Sequence, residues 1–256
     1  MKLQTTIFLL LFVLISNIYS QSSELHIMTY NLRFGERASM EEFAAYINQQ
    51  KPDLVALQEC DWKTYRSFTS KQAGKAFVNE LAYHTGMFGL FGKAINYKGG
   101  LYGIGILSNF PIIKSERVLL PNPNPKTEQR ALLLAEIELP DKSRVMFVST
   151  HLEYSSEQVR EKQIAFINKF IKKIKIPVIL AGDLNAEPTS KEIEKGLKNW
   201  FNATDTNYTF STDKPDIKLD YILGYPKKKF ELISTKVDYS IKISDHFPVS
   251  SVIKIK

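Results

Sequence analysis

Short apolar segments of strand length, with helical segments between groups of them, constrain the fold of this chain more than any other feature. The predicted strands are 25–30, 54–57, 102–108, 112–119, 130–139, 144–150, 177–181, 219–223, 229–237 and 248–254. Apolar spacing of three and four residues predicts helices at 39–49, 74–84, 156–174 and about 190–197. Two sheets packed face to face, with helices outside, would bury the apolar faces of all these elements. The pattern therefore predicts an α/β protein.

The composition predicts one globular domain. The chain has 256 residues, of which 44% are hydrophobic and 24% are charged, which excludes a disordered or collagen-like protein. Neither an internal repeat nor a Gly/Ser-rich linker divides the sequence after the first twenty residues. We therefore expect a single domain over residues 21–256. Cys60 is the only cysteine, which excludes an internal disulfide, and its place after an apolar strand predicts a packing role.

The first twenty residues predict export. Lys2 precedes an apolar run at residues 7–18, and the small residue Ser20 marks a plausible cleavage point. This arrangement is typical of a signal peptide, here residues 1–20. An uncleaved membrane anchor is the alternative, but the run is shorter than the ~20 residues that a spanning helix needs. We expect a secreted or periplasmic protein whose mature chain has no transmembrane span.

The formal charge of +7, or +6 without Lys2, favours polyanionic partners or anionic membrane surfaces. The alternative is a surface on which most lysines are merely solvated. The densest group of lysines, between Lys169 and Lys175, alternates with apolar residues, which indicates an ordinary amphipathic helix.

Polar side chains able to bind a metal ion or a phosphate stand at the ends of the apolar strands. They are Asn31, Glu59, His151, Asp183, Asn185, Asp220, Asp245 and His246. Singly, each has a structural explanation: Asn31 as a turn residue, for example, or Asp220 as the partner of Lys218. In a two-sheet fold, however, strand ends gather at one edge. Together the residues therefore predict a site.

The donor set indicates the chemistry of this site. Carboxylate and amide oxygens suit Mg²⁺ or Mn²⁺, whereas Zn²⁺ would be expected with more histidine or cysteine. Histidines beside carboxylates suit acid–base catalysis. Together they point to attack by water on phosphorus, for which positioning and charge neutralisation do most of the catalysis.

Six stretches of the sequence also carry a resemblance to a known superfamily. They are 28–33 (MTYNLR), 57–59 (LQE), 149–153 (STHLE), 181–188 (AGDLNAEP), 219–222 (LDYI) and 244–249 (SDHFPV). In this order they resemble the endonuclease/exonuclease/phosphatase superfamily, which includes pancreatic-type DNases, neutral sphingomyelinases and inositol polyphosphate 5-phosphatases. The resemblance implies a four-layer α/β/β/α sandwich of two mixed, mainly antiparallel sheets.

The resemblance also implies roles at a metal site. Glu59 would be the main ligand of Mg²⁺ or Mn²⁺, with Asn31 and Asp245 supporting metal or phosphate binding. Tyr102 would line the site. Independently of the resemblance, Arg130, which follows a proline-rich loop, either binds the substrate phosphate or belongs to the surface.

Five further residues would carry the reaction. Asp183 would align the attacking water and Asn185 would hold the phosphate. His246, held in its tautomer by Asp220, would act on the water or the phosphate. His151 would donate to a phosphate oxygen. The DNase branch orients this first histidine with a glutamate, but the matching segment 93–107 contains no acid, so His151 is expected to lack that partner.

We therefore expect a secreted, metal-dependent phosphoester hydrolase, with a phosphodiester as the favoured substrate. Nucleic acid comes first and a phospholipid headgroup, as in a sphingomyelinase, second. A phosphatase acting on inositol or sugar phosphates is a further alternative. A hypothesis of another class is a non-catalytic module that binds a phosphate-bearing ligand in the same cleft.

Overall fold

The structure, a computed structural model, describes residues 24–256, so the predicted signal peptide lies outside the described residues. The strands are β1 Glu24–Asn31, β2 Leu54–Trp62, β3 Phe88–Tyr97, β4 Gly100–Ser108, β5 Ile112–Leu119, β6 Ala131–Glu138, β7 Arg144–His151, β8 Val178–Asp183, β9 Phe201–Asn202, β10 Asp220–Tyr225, β11 Phe230–Val237 and β12 Val249–Ile255. The α-helices of this part of the chain are α1 Met40–Gln50, α2 Phe77–Thr85, α3 Glu157–Ile171 and α4 Lys191–Glu194.

Over residues 24–256 the strands form two sheets of six, and each sheet is mixed but mainly antiparallel, as expected. The first has the order β11-β12-β1-β2-β4-β3 and the second β5-β6-β7-β8-β10-β9. Each contains one parallel pair, β1 with β2 and β7 with β8. The carboxyl ends of these four strands point to the same edge of the molecule, where Ser149 of β7 donates to the carbonyl of Leu57 in β2 at 3.3 Å.

Alternation along the strands divides the apolar residues into layers. Ile27 and Ala56 of the first sheet pack against Phe147 and Ile179 of the second. The opposite face of the first sheet packs on α1 and α2, and the opposite face of the second packs on α3. The order of layers is therefore α/β/β/α, which confirms the predicted four-layer sandwich.

Local sequence accounts for two of the helix ends. Ser39 accepts from the amide of Glu42 while the Glu42 side chain accepts from the amide of Ser39, a capping box that starts α1 as predicted. Gly86, at φ 73°, ends α2 in the left-handed conformation that glycine adopts without strain. The fourth helix is shorter than the predicted 190–197. Within residues 24–256 the structure contains no helix long and apolar enough to cross a bilayer.

Candidate active site

All ten residues predicted to form a site lie at one edge of the sandwich. A cleft of about 710 Å³ opens there. Eight of the ten line it: Glu59, Tyr102, Arg130, His151, Asp183, Asn185, Asp245 and His246. The other two, Asn31 and Asp220, lie directly behind it, hydrogen-bonded to residues that do.

Asn31, the last residue of β1, joins two carboxylates. Its amide Nδ2 donates to Glu59 Oε1 at 3.2 Å and to Asp183 Oδ2 at 3.1 Å. Its Oδ1 accepts from the backbone amide of Arg33 at 3.0 Å, so the side chain also fixes the turn after β1. Asn31 therefore fixes the turn after β1 and also joins two carboxylates at this edge.

Glu59 enters the cleft because β2 is irregular. The strand was predicted to end at residue 57 but runs on to Trp62, with a register shift between Leu57 and Cys60. Glu59 stands in that bulge at φ 56°, a left-handed conformation that a β-bulge imposes and that turns the side chain out of the ladder. Burial raises the pKa of the Glu59 carboxyl, and the neighbouring Asp245 raises it further. A cation at this position would relieve both effects.

Asp183 is at the centre of the site. It ends β8, beside Asp220 on β10 and beside His151 on β7. Its Oδ1 accepts from the amide of Asn185 at 2.8 Å, while its Oδ2 lies 3.4 Å from His151 Nε2 and 3.6 Å from His246 Nε2. Burial raises the pKa of the Asp183 carboxyl although the His246 imidazole opposes this. A carboxylate with a raised pKa is a better proton acceptor.

His246 and Asp220 form a buried pair. Asp220 Oδ2 lies 2.9 Å from His246 Nδ1, which leaves Nε2 directed towards Asp183 and the cleft. Burial alone would lower the pKa of His246, but the carboxylates of Asp220 and Asp183 outweigh it and raise the pKa. The alternative prediction that the Asp220 carboxylate pairs with Lys218 is wrong, because Lys218 Nζ donates to the backbone carbonyl of Asp220 instead.

His151 has a different environment. Burial lowers its pKa well below the usual range, and the nearby charges of Arg130 and His246 lower it further. No acid of segment 93–107 is available to it, as the sequence predicted, and the carboxylate that approaches its Nε2 is Asp183. His151 is therefore a neutral imidazole beside a cationic one.

Asn185 and Asp245 are fixed by their neighbours. Asn185, at φ 48°, donates one amide hydrogen to the carbonyl of Leu152 at 3.0 Å, and the second remains to donate into the cleft. Asp245 Oδ2 lies 3.0 Å from a terminal nitrogen of Arg33. This ion pair borders the carboxylate of Glu59.

Arg130 is not a surface residue, so that alternative is wrong. Its guanidinium is buried in the cleft wall, 3.0 Å from Glu128 and 3.6 Å from the fully buried Glu153. Tyr102 is buried beside it in the same wall. Arg130 and Tyr102 can therefore contact a bound molecule only if that molecule lies in the cleft.

Sequence reasoning missed much of the remaining wall. The missed residues are Arg33, Phe34, Arg66, Tyr97, Glu128, Tyr154, Arg160 and Phe210. Arg66 is held by both oxygens of Asp61, at 2.7 and 3.0 Å, and its guanidinium lies over the rings of Phe34 and Tyr97. Arg33 could have been predicted from the sequence, because it follows the strand-end residue Asn31 by two residues. Arg66 gave no signal, because its partners come from distant segments.

The residues present fit a divalent cation. Four carboxylates, Glu59, Asp183, Asp220 and Asp245, share this edge, and buried like charges need a counter-charge. Ligand atoms of Asp183, Asp220 and His246 lie within 4.8 Å of one another, close enough to hold a metal ion. The 2.9 Å contact of His246 Nδ1 with Asp220 is itself a hydrogen bond. The bulge carboxylate of Glu59, with Asn31 and Asp245 beside it, offers the oxygen-rich set that Mg²⁺ or Mn²⁺ prefers.

Comparison with known proteins identifies the family. A sequence model of the Endonuclease/Exonuclease/phosphatase family matches residues 28–246, and the chain belongs to this family. The predicted resemblance is thereby confirmed. Membership supports a phosphoester hydrolase.

Solved structures of low sequence identity share the fold. An endonuclease/exonuclease/phosphatase from Beutenbergia cavernae DSM 12333 is 20% identical, with a TM-score of 0.76 over 91% of this chain and 72% of that chain. A mannosyl-6-phosphatase from Bacteroides thetaiotaomicron VPI-5482 is 17% identical, with a TM-score of 0.71 over 90% of this chain and 99% of that chain. Sphingomyelinase C from Streptomyces griseocarneus is 19% identical, with a TM-score of 0.68 over 90% of this chain and 99% of that chain.

Proposed function

We propose that this protein is an Mg²⁺- or Mn²⁺-dependent phosphoester hydrolase that directs water onto phosphorus. The observation that carries the proposal is the meeting, at one edge, of Asn31, Glu59, Asp183 and the His246–Asp220 pair from distant parts of the chain. A folding protein gains no stability from collecting buried carboxylates and imidazoles, so their convergence is best explained by chemistry.

In this proposal Glu59 is the main metal ligand, supported by Asn31 and Asp245. A divalent cation bound there would supply positive charge to the phosphate oxygens as negative charge develops on them. Desolvation of the half-buried Glu59, which raises its pKa, is consistent with a carboxylate that binds a cation.

The protein's own groups would perform the proton transfers. Asp183 aligns a water molecule and accepts its proton as the new oxygen–phosphorus bond forms and the bond to the leaving oxygen breaks. His246, kept cationic by Asp220 and Asp183, donates a hydrogen bond from Nε2 to a phosphate oxygen, and the leaving oxygen takes up a proton from solvent. Asn185 and neutral His151 hold the other phosphate oxygens by hydrogen bonds, and Arg130 and Tyr102 bound the cavity.

A phosphodiester is the first substrate to test, with nucleic acid ahead of a phospholipid headgroup. The positive formal charge supports a polyanion. A small phosphomonoester is the second candidate, because a cleft of about 710 Å³ has the size of a typical small-ligand site. The structural likeness to a mannosyl-6-phosphatase makes a sugar phosphate a reasonable probe of it.

Hydrolysis of bis-p-nitrophenyl phosphate by the purified mature chain tests the reaction. We expect nitrophenolate release with Mg²⁺ or Mn²⁺, none with EDTA, and none from Asp183→Ala. Equal release by wild type and Asp183→Ala would contradict the proposal and favour a non-catalytic module that binds a phosphate-bearing ligand. Plasmid DNA, RNA, sphingomyelin, inositol phosphates and mannose 6-phosphate, assayed in parallel, would rank the substrates.

Export of the protein belongs to the same proposal. Residues 1–20 would be removed as a signal peptide, which leaves residues 21–256 as one catalytic domain in the periplasm or outside the cell. Mass spectrometry of protein expressed with its leader should give a mature chain that begins near Gln21. An intact leader on the exported protein would contradict cleavage.

A further inference from the structure

A second concave surface adjoins the cleft. It is a groove of about 580 Å³ between the end of β2 and the tip of the β3–β4 hairpin. The side chains that give it its chemistry are Trp62, Lys63, Asn96, Tyr97 and Lys98. Tyr97 lines both this groove and the cleft, so the two concavities meet at its ring.

The backbone of the groove is held in place. Lys98 and Gly99, at φ 45° and 80°, form the two-residue turn between β3 and β4, in which both residues need positive φ. The amide of Tyr65 donates to the carbonyl of Lys98 at 2.9 Å and ties the turn to the segment after β2. Gly100 lies so close to the backbone of Trp62 that a Cβ there would collide with it. The side chains of Lys63 and Lys98 therefore extend from a backbone that is held in position.

Charge favours an anionic occupant. Lys63 and Lys98 are exposed, and in the part of the chain that the structure describes no carboxylate lines the groove. In the adjoining cleft, by contrast, the guanidiniums are paired: Arg66 with Asp61 and Arg130 with Glu128. The groove lysines are thus placed to bind phosphates.

The aromatic residues favour an occupant with a flat ring. Trp62 and Tyr97 are half-buried, and the indole is supported by Phe91 at a centroid separation of 5.4 Å. Tyr97 is supported by Arg66, whose guanidinium carbon lies 4.4 Å from the ring centroid. Supported rings beside lysines are the means by which single-stranded nucleic acids are held, through base stacking and backbone charge. The amide of Asn96 adds a donor and an acceptor for a base edge.

We propose that this groove binds a nucleotide that flanks the scissile phosphate of a single-stranded nucleic acid. The inference rests on the proposed phosphodiesterase function and deepens it, since it assigns a chain-like substrate. A lipid surface is the alternative occupant, since the exposed Tyr65 adjoins the turn, but the groove itself presents lysines and half-buried rings rather than protruding apolar side chains.

The test separates the groove from the cleft. Lys63→Gln/Lys98→Gln removes two positive charges from the groove, and Lys172→Gln/Lys173→Gln removes two at the end of α3 as a matched control. Two substrates are compared: bis-p-nitrophenyl phosphate, which is too small to reach the groove from the cleft, and a fluorescent oligothymidylate of about twelve nucleotides. Binding of the oligonucleotide is also followed by fluorescence anisotropy over a range of salt concentrations.

We expect the groove variant to lose about tenfold in kcat/KM and in affinity for the oligonucleotide at low salt, with a shallower salt dependence. Its hydrolysis of bis-p-nitrophenyl phosphate should stay within about twofold of wild type, and the α3 control should match wild type on both substrates.

Several results would overturn the assignment. Oligonucleotide binding and cleavage that are unchanged in the groove variant, or that fall equally in the α3 control, exclude the groove. Wild-type protein that hydrolyses bis-p-nitrophenyl phosphate but does not bind the oligonucleotide excludes the groove while the proposed function stands. If the groove variant binds the oligonucleotide as well as wild type does but no longer binds phosphatidylglycerol vesicles, the surface is assigned to lipid. If the small ester is not hydrolysed, the proposed function fails and anisotropy still decides whether the groove binds nucleic acid.

Discussion

Two buried regions of this protein are built by opposite rules. Between the two sheets, Ile27, Ala56, Phe147 and Ile179 meet in an interior of apolar side chains. At the edge where β1, β2, β7 and β8 end, the buried side chains carry charges and amides instead. The first region stabilises the fold by removing apolar surface from water. The second opposes folding, because desolvated charges destabilise unless they are well paired. Substitutions should therefore separate activity from stability.

The largest effect is expected from His246→Ala. Removing the imidazole takes away the donor at the cleft while the sheets stay packed, so kcat should fall by roughly three to four orders of magnitude, about 4–5 kcal/mol of barrier. Steady-state hydrolysis of bis-p-nitrophenyl phosphate measures the loss, and thermal unfolding should give a Tm close to wild type. Turnover near the wild-type rate would remove His246 from the mechanism.

Phe147→Ala should lower the stability of the protein and leave its activity nearly unchanged. The ring is fully buried between the sheets, and its truncation leaves a cavity, which should lower the free energy of unfolding by about 3–5 kcal/mol. Urea denaturation followed by circular dichroism measures this. Protein that remains folded at low temperature should keep kcat within a few-fold of wild type. A large fall in kcat in the folded protein would show that the two regions are coupled.

Glu59→Gln tests whether the negative charge of Glu59 is needed to bind the metal ion. The amide is close in shape to the carboxylate but lacks its charge, so the concentration of Mg²⁺ needed for half-maximal activity should rise about 10- to 100-fold. At saturating Mg²⁺ much of the activity should return. A metal titration that superimposes on that of wild type would exclude Glu59 as a ligand.

Lys218→Met should give the smallest effect. Lys218 is 2% exposed, and burial lowers its pKa to about 8 although Asp220 and Asp205 oppose the shift. The folded state therefore binds the proton less tightly than the unfolded state, so this residue opposes folding below about pH 8 and its penalty disappears as the pH rises towards 10.5. We expect the variant to be more stable than wild type by about 1 kcal/mol at pH 7 and the difference to shrink at higher pH.

Urea unfolding of wild type and Lys218→Met at pH 7 and near pH 10.5 measures this difference in stability. Lys218→Arg, which keeps the charge, should not reproduce the gain. A variant that is less stable than wild type at both pH values would show that the ammonium stabilises the site edge.

The two regions also differ in how well the sequence predicts them. Most strands followed from apolar runs, and the capping box at Ser39 located α1. The strand Phe88–Tyr97 was missed, because its glycines and its irregular burial conceal a period of two. Pairing with β4 and packing on α2, both tertiary effects, make it a strand.

At the site, the residues at the strand ends could be predicted because most of them follow an apolar run, while Asp220 stands at the start of one and Asp245 and His246 precede another. The wall of the cleft could not. Arg66 depends on Asp61 and on rings contributed by Phe34 and Tyr97, and no spacing in the sequence encodes that meeting. The extension of β2 beyond residue 57 was likewise hidden, since a bulge replaces the alternation on which strand prediction relies.

The irregularity in β2 makes the site sensitive to chain length. Side chains alternate between the two faces of a strand, so only the extra residue opposite β4 lets Leu57 and Cys60, three positions apart, lie on the same face. Deleting Glu59, the residue between Gln58 and Cys60, would restore a regular ladder in which Cys60 and Asp61 keep their partners on β4. Asp61 would therefore keep its hold on Arg66, but no residue would turn a carboxylate out of the ladder into the cleft. A one-codon deletion would thus remove the proposed metal ligand and leave the pairing on either side of it intact.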